Sequence, residues 1–98
     1  MSRVHWLLGA HALAAGHYPE ATESFRRAAQ LSRTAGNRAE ELLAQGFEAI
    51  TKVVGKIPNS QGEAELTRTK NALLTESPRD AQFWIGQLDT AYRVFVRK

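Results

Sequence analysis

The sequence contains no cysteine and a single methionine in 98 residues. That excludes a disulfide framework and any thiolate metal site, and it suits a reducing compartment. Proline is scarce as well, and Pro19, Pro58 and Pro78 all fall where the chain reads as turning. Long hydrophobic runs are missing. The longest, Trp6-Leu7-Leu8-Gly9-Ala10, is far short of the roughly 20 apolar residues needed to cross a bilayer. Strand signals are almost absent too, because Val53-Val54 and Val94-Phe95-Val96 both sit inside helical patterns. The seven glycines are isolated, so there is no phosphate-cradling loop. Nor is the charge one-sided: thirteen Lys and Arg stand against ten Asp and Glu, net +3, without the dense basic stripe of a nucleic-acid binder.

What is there is an ordinary globular composition, 43% hydrophobic and 23% charged. The length fits one domain over residues 1–98 with one modest core. Arg3 ahead of an apolar stretch gives residues 1–15 some likeness to a signal peptide. His5 and His11 interrupt that stretch, however, and Gly16-His17-Tyr18-Pro19 reads as a helix turn. A cytoplasmic protein, intact from Met1, is expected, with no membrane association.

The periodicity predicts an all-α chain of five helices. The first covers about Val4 to Ala15, with Trp6, Leu7, Ala10, Leu13 and Ala14 at three- and four-residue spacing and Gly16 as its stop. Pro19 lies in the first turn of the second, which Gly36-Asn37 closes; Glu23 stands four residues before Arg27, a favourable pairing. The third runs from Arg38 to about Val54 and buries Leu42, Leu43, Gly46, Phe47, Ile50, Val53 and Val54. After the loop 55–60, the fourth covers about Gln61 to Thr75 and buries Leu66, Ala72, Leu73 and Leu74. Ser77 as N-cap and Pro78 at the first helical position start the fifth, which presents Ala81, Trp84, Ile85, Leu88, Tyr92 and Phe95.

Leu8, Gly9, Gly16, Tyr18, Ala21, Phe25 and Ala28 form an ordered series of small residues, a turn and one aromatic knob. That series resembles a tetratricopeptide (TPR) helix hairpin. Gly9, Gly46 and Gly86 each follow an apolar or aromatic stretch, 37 and then 40 residues apart, where a TPR unit is about 34. Over residues 38–75 only the first helix matches, and LLTESPRDAQFW looks like a junction between units, with its register set by either Gly86 or Trp84. The resemblance implies a right-handed α-α superhelix: two TPR-like hairpins and a C-terminal capping helix. The Gly-His-Tyr-x-Glu-Ala turn at 16–21 is also similar to that of microtubule-interacting-and-trafficking domains, and a dimerising four- or five-helix bundle fits the same pattern.

Chemistry-bearing constellations are thin. His5, His11 and His17 are spaced by six, which on a helix turns them about 240° apart, and no metal-ligand spacing appears. No serine has a nucleophile context, and the carboxylates Glu40-Glu41, Glu63 and Glu65 read as first-turn residues. No catalytic residue, metal or cofactor is expected. The TPR resemblance implies a groove lined by the first helix of each unit. By register with Gly9 and Gly46, that groove comprises Arg3, Trp6, Leu7, Ala10 and Leu13, then Glu40, Leu43, Ala44, Phe47 and Ile50. Trp6 and Ala10 occupy the places of the Lys/Asn set that grips a C-terminal carboxylate in chaperone-binding members. An apolar helix-in-groove mode is therefore expected, with Trp6 and Phe47 equally suited to the core. The expected function is non-enzymatic binding of a protein segment, or of a second copy as a homodimer, through the apolar faces of helices one and three. The alternative is an anion or nucleic-acid contact through Arg26, Arg27, Arg33 and Arg38, whose plainer role is a solvated, dipole-matched helix face.

Overall fold

Two left-handed glycines divide the first half of the chain. Gly16 (φ +82°) and Gly36 (φ +76°) adopt a conformation that costs a side-chain-bearing residue energy. Each ends a helix in the same way. The His17 N–H donates to the Ala12 carbonyl at 2.8 Å and Gly16 to Leu13 at 3.2 Å; Asn37 donates to Ser32 at 2.9 Å and Gly36 to Arg33 at 3.0 Å. These paired bonds satisfy carbonyls that a helix end would otherwise leave orphaned.

The computed structural model describes residues 2–56, 61–76 and 78–96, and side-chain surroundings over 4–56, 61–76 and 78–95. Among them are five helices and no strand: α1 (Ser2–Ala15), α2 (Tyr18–Thr34), α3 (Arg38–Val54), α4 (Gly62–Glu76) and α5 (Ala81–Val96). Helix α3 is central and packs against α2, α4 and α5; α1 packs on α2, and α4 also meets α5. The radius of gyration, 12.3 Å, is that of a compact chain of this length.

Three apolar clusters hold the helices. Leu42 and Ile50 of α3 pack with Leu66 and Leu73 of α4 and Leu88 of α5; Leu13 of α1 packs with Ala21 and Phe25 of α2; Ala28 and Ala29 of α2 meet Ala44 of α3. Phe25, Leu42, Ile50, Leu73 and Leu88 are fully buried, each stabilising the fold by about 1.5–3 kcal/mol. Glycines let helices approach. A Cβ at Gly9 would stand 2.9 Å from the Phe25 ring, and one at Gly46 would stand 2.6 Å from a Leu88 methyl. One at Gly62 would lie 2.8 Å from Val53 and 2.9 Å from the Ala49 carbonyl.

The structure sets the buried face of α1 and corrects two expectations, for Leu74 and for the start of α5. In α1 the buried face is Gly9, Ala12 and Leu13, with Trp6 half-buried, whereas Leu7, Ala10 and Ala14 are exposed. The helix is apolar nearly all round, so periodicity could not choose its face. Leu74 is exposed, because the neighbouring Leu73 takes the α4 core position. Asn37, which closes α2 through its N–H, also caps α3, its side chain accepting the Glu40 N–H at 3.2 Å. Pro78 precedes α5: residues 78–80 form a turn, and the Trp84 N–H donates to the Asp80 carbonyl at 3.0 Å. Asp80 suits that helix-opening position; Ser77, expected there, lies outside the described residues, as do 57–60 of the expected loop.

Candidate interaction surface

Burial of one face of α1 leaves its opposite face apolar. Val4 is 53% exposed, Leu7 67% and Leu8 52%, with His11 and Ala14 continuing the stripe along the helix. From Val4 to Ala15 there is no Asp, Glu, Lys or Arg. That run was the sequence signal for this surface, since an outward helix face ordinarily carries charge.

The expected groove residues divide between surface and interior. Leu7 and Ala10 are exposed. Leu13 of α1 is buried against α2, and Leu43, Ala44 and Ile50 of α3 are buried beneath α2, α4 and α5, so these four support the scaffold and offer no surface. Trp6 and Phe47 are half-buried in an aromatic trio with Phe25, linking α1, α3 and α2. Trp6 meets Phe25 at 5.7 Å and Phe47 at 5.4 Å edge-on, and Phe25 stacks on Phe47 at 5.5 Å. Half-buried Glu40 accepts the Ser32 hydroxyl at 3.5 Å. The Arg3 side chain lies outside the described residues.

The four arginines proposed for an anion are all engaged by carboxylates of the chain itself. Arg26 meets Glu23 and Glu48 at 3.4 Å, and Arg27 meets Glu23 at 3.3 Å. Arg33 donates to buried Glu41 at 2.8 Å, which Arg38 also reaches at 3.1 Å. Arg38 further grips Glu76 through two bonds of 2.8 and 3.0 Å. Those bonds to Glu76, and then to Glu41, hold the Arg38 guanidinium above its ordinary range, and Arg38 in turn holds the Glu76 carboxyl below its own. An incoming phosphate would have to displace these partners.

Below this cluster a groove of about 400 Å³ runs between α3 and α4, with Leu42 and Ala72 in its floor. Lys52 spans it, 3.3 Å from Glu48 and 3.0 Å from Glu65. Burial disfavours the charged Lys52, but Glu65 and Glu48 outweigh it and raise the ammonium above its ordinary range. Sequence reasoning missed this ladder, although the Glu48–Lys52 spacing of four was a visible signal. Arg68, on the groove wall, has no ion-pair partner among the described residues. Across the next junction Lys70 pairs with Asp89, and the Tyr92 hydroxyl donates to Glu63 at 2.7 Å. These are clasps between helices.

The outer face of α5 is the second open surface. Phe83 is 60% and Val94 51% exposed, and at Gly86 between them nothing described lies within 4 Å of where a Cβ would stand. Inward of it, Trp84 keeps its indole Nε1 buried with no hydrogen-bond partner among the described residues. No group of three or more His, Asp or Glu that could hold a metal occurs among the described residues, and no described helix is long and apolar enough to cross a membrane. Compared with known proteins, the chain matches no family model, no curated protein and no solved structure.

Proposed function

We propose that this chain is a TPR-like, non-enzymatic docking module of the cytoplasm, binding a protein partner through the outer face of α1. One observation carries the reading: Val4, Leu7 and Leu8 form an exposed aliphatic patch on a helix with no formal charge between residues 4 and 15. Scattered surface leucines are commonplace, whereas a contiguous apolar face on an ordered helix suits a partner that removes it from water. Full burial of such a side chain is worth about 1.5–3 kcal/mol. The aromatic trio behind the patch fixes α1 on α2 and α3, so the surface is presented preformed. The close Gly9–Phe25 approach and the left-handed Gly16 support a TPR-like first hairpin. Gly46 departs from strict repetition, because the atoms nearest the place of its missing Cβ belong to Leu88 of α5.

The lack of cysteine gives a direct test. Leu7→Cys and, on the exposed side of α2, Gln30→Cys are each labelled with a photoreactive maleimide and irradiated in extract of the source cells. Protein adducts from position 7 and not from position 30 support docking through α1. Equal adducts at both positions, or none from position 7, count against it.

A further inference from the structure

We propose that the groove between α3 and α4 binds a small organic monocarboxylate, its carboxylate on Arg68 and its apolar body along Leu42 and Ala72. The site is separate from the outer face of α1 and does not depend on docking there.

Most charges on the walls of this groove are already answered. Arg38 of α3 holds Glu76 of α4 through two bonds. Lys52 of α3 reaches both oxygens of Glu65 of α4, at 3.2 and 3.0 Å, and Glu48 at 3.3 Å. Glu48 also meets Arg26. Arg68 stands three residues after Glu65 and four before Ala72, so α4 presents all three to the groove. Its nearest carboxylate along the helix, Glu65, is taken up by Lys52. Of the lining cations Arg38, Lys52 and Arg68, only Arg68 has no ion-pair partner among the described residues. An exposed arginine without a partner is commonplace on open surface. This one stands on the wall of a groove with an apolar floor, between two carboxylates that are engaged elsewhere.

Those surroundings select the ligand. Two coplanar carboxylate oxygens match the fork of the Arg68 guanidinium. A phosphate dianion would bring a second negative charge towards Glu48 and Glu65, so a monoanion is the better match. Leu42 and Ala72 offer the floor to an apolar body that a charged head alone would leave uncovered. The volume, about 400 Å³, lies within the range of about 300–1,000 Å³ typical of small-molecule sites. Length is limited as well. Arg38–Glu76 and Lys52–Glu65 bridge the two helices at opposite ends of the groove, so a compact molecule fits between them, whereas a peptide running through would have to part them.

Amide NMR spectra of the whole chain, titrated with phenylbutyrate, test this. Shifts should centre on Gln45, Arg68, Thr69 and Ala72 and saturate with a Kd of about 1 mM. Arg68→Gln should weaken binding about tenfold or more, and should melt as wild type does, because this arginine has no ion pair to lose. Arg93→Gln, an exposed position on α5, should bind as wild type. Phenylbutanol, the same body without the charge, should bind about tenfold more weakly, and phenyl phosphate should bind less tightly than phenylbutyrate. Four results would each overturn the proposal: no saturation below about 10 mM, shifts centred on Leu7 and Leu8 of α1, an Arg68→Gln variant that binds like wild type, or either control ligand binding as tightly as phenylbutyrate.

Discussion

At the scale of single residues, one amino acid type carries opposite expectations at different places. Gly9 and Gly46 face Phe25 and Leu88, both fully buried and unable to withdraw, so Gly9→Ala and Gly46→Ala should each destabilise by about 1–3 kcal/mol. Gly86 faces open space, and Gly86→Ala should stabilise by about 0.5–1 kcal/mol. Urea unfolding of the three variants checks the signs, and a destabilised Gly86→Ala would mean that another part of the chain packs against that position. Phe47 shows the same dependence on surroundings. Its ring completes the trio with Trp6 and Phe25, so Phe47→Ala should cost about 2–4 kcal/mol, whereas Leu7→Ala on the open face should stay within about 0.5 kcal/mol. Thermal melts of the pair distinguish scaffold from surface.

At the scale of helices, the polar clasps sit at the edges of junctions that apolar side chains fill, and one of them should be visible in the acid response. Arg38 lowers the Glu76 carboxyl, so the clasp contributes fully above the ordinary carboxylate range and is lost as pH falls through the lowered value. Glu76→Gln should therefore melt below wild type at neutral pH and converge with it at strongly acid pH. Parallel melting curves would mean that this exposed pair contributes nothing. The raised Arg38 and Lys52 act in the opposite sense, contributing at neutral pH and losing their effect only in alkali. Helix boundaries were largely legible beforehand, because Gly16, Gly36 and Asn37 announce them through backbone chemistry that needs no tertiary partner. The buried face of α5 was legible for a similar reason, since charge and amide groups occupy much of its other side. The face of α1 was not. With apolar residues all round, the choice fell to whichever side offered Gly9 to Phe25, a contact made 16 residues later in the chain. The interaction surface was misassigned with it: Leu13, Leu43 and Ile50 look like groove residues until α2, α4 and α5 close over them.

At the scale of the whole molecule, the helices are unequally held. Helix α3 has three neighbours, whereas α1 packs on α2 and reaches α3 through the Trp6–Phe47 contact. Elements with fewer packed neighbours open at lower free energy, so α1 should detach before the rest unfolds. The two tryptophans make that order observable. Trp6 lies on α1 between phenylalanine rings, and Trp84 lies on α5 with its indole Nε1 shielded and unpaired among the described residues. Trp84→Phe removes an orphaned donor and Trp6→Phe keeps an aromatic ring, so each substitution leaves a folded chain with one fluorophore. The Trp6 emission should shift at lower denaturant than the Trp84 emission, and coincident transitions would instead mean that α1 unfolds with the whole. Trp84, whose indole Nε1 is shielded from solvent without a hydrogen-bond partner among the described residues, should emit at the shorter wavelength, so the wild-type spectrum already contains separate signals from the first helix and the last.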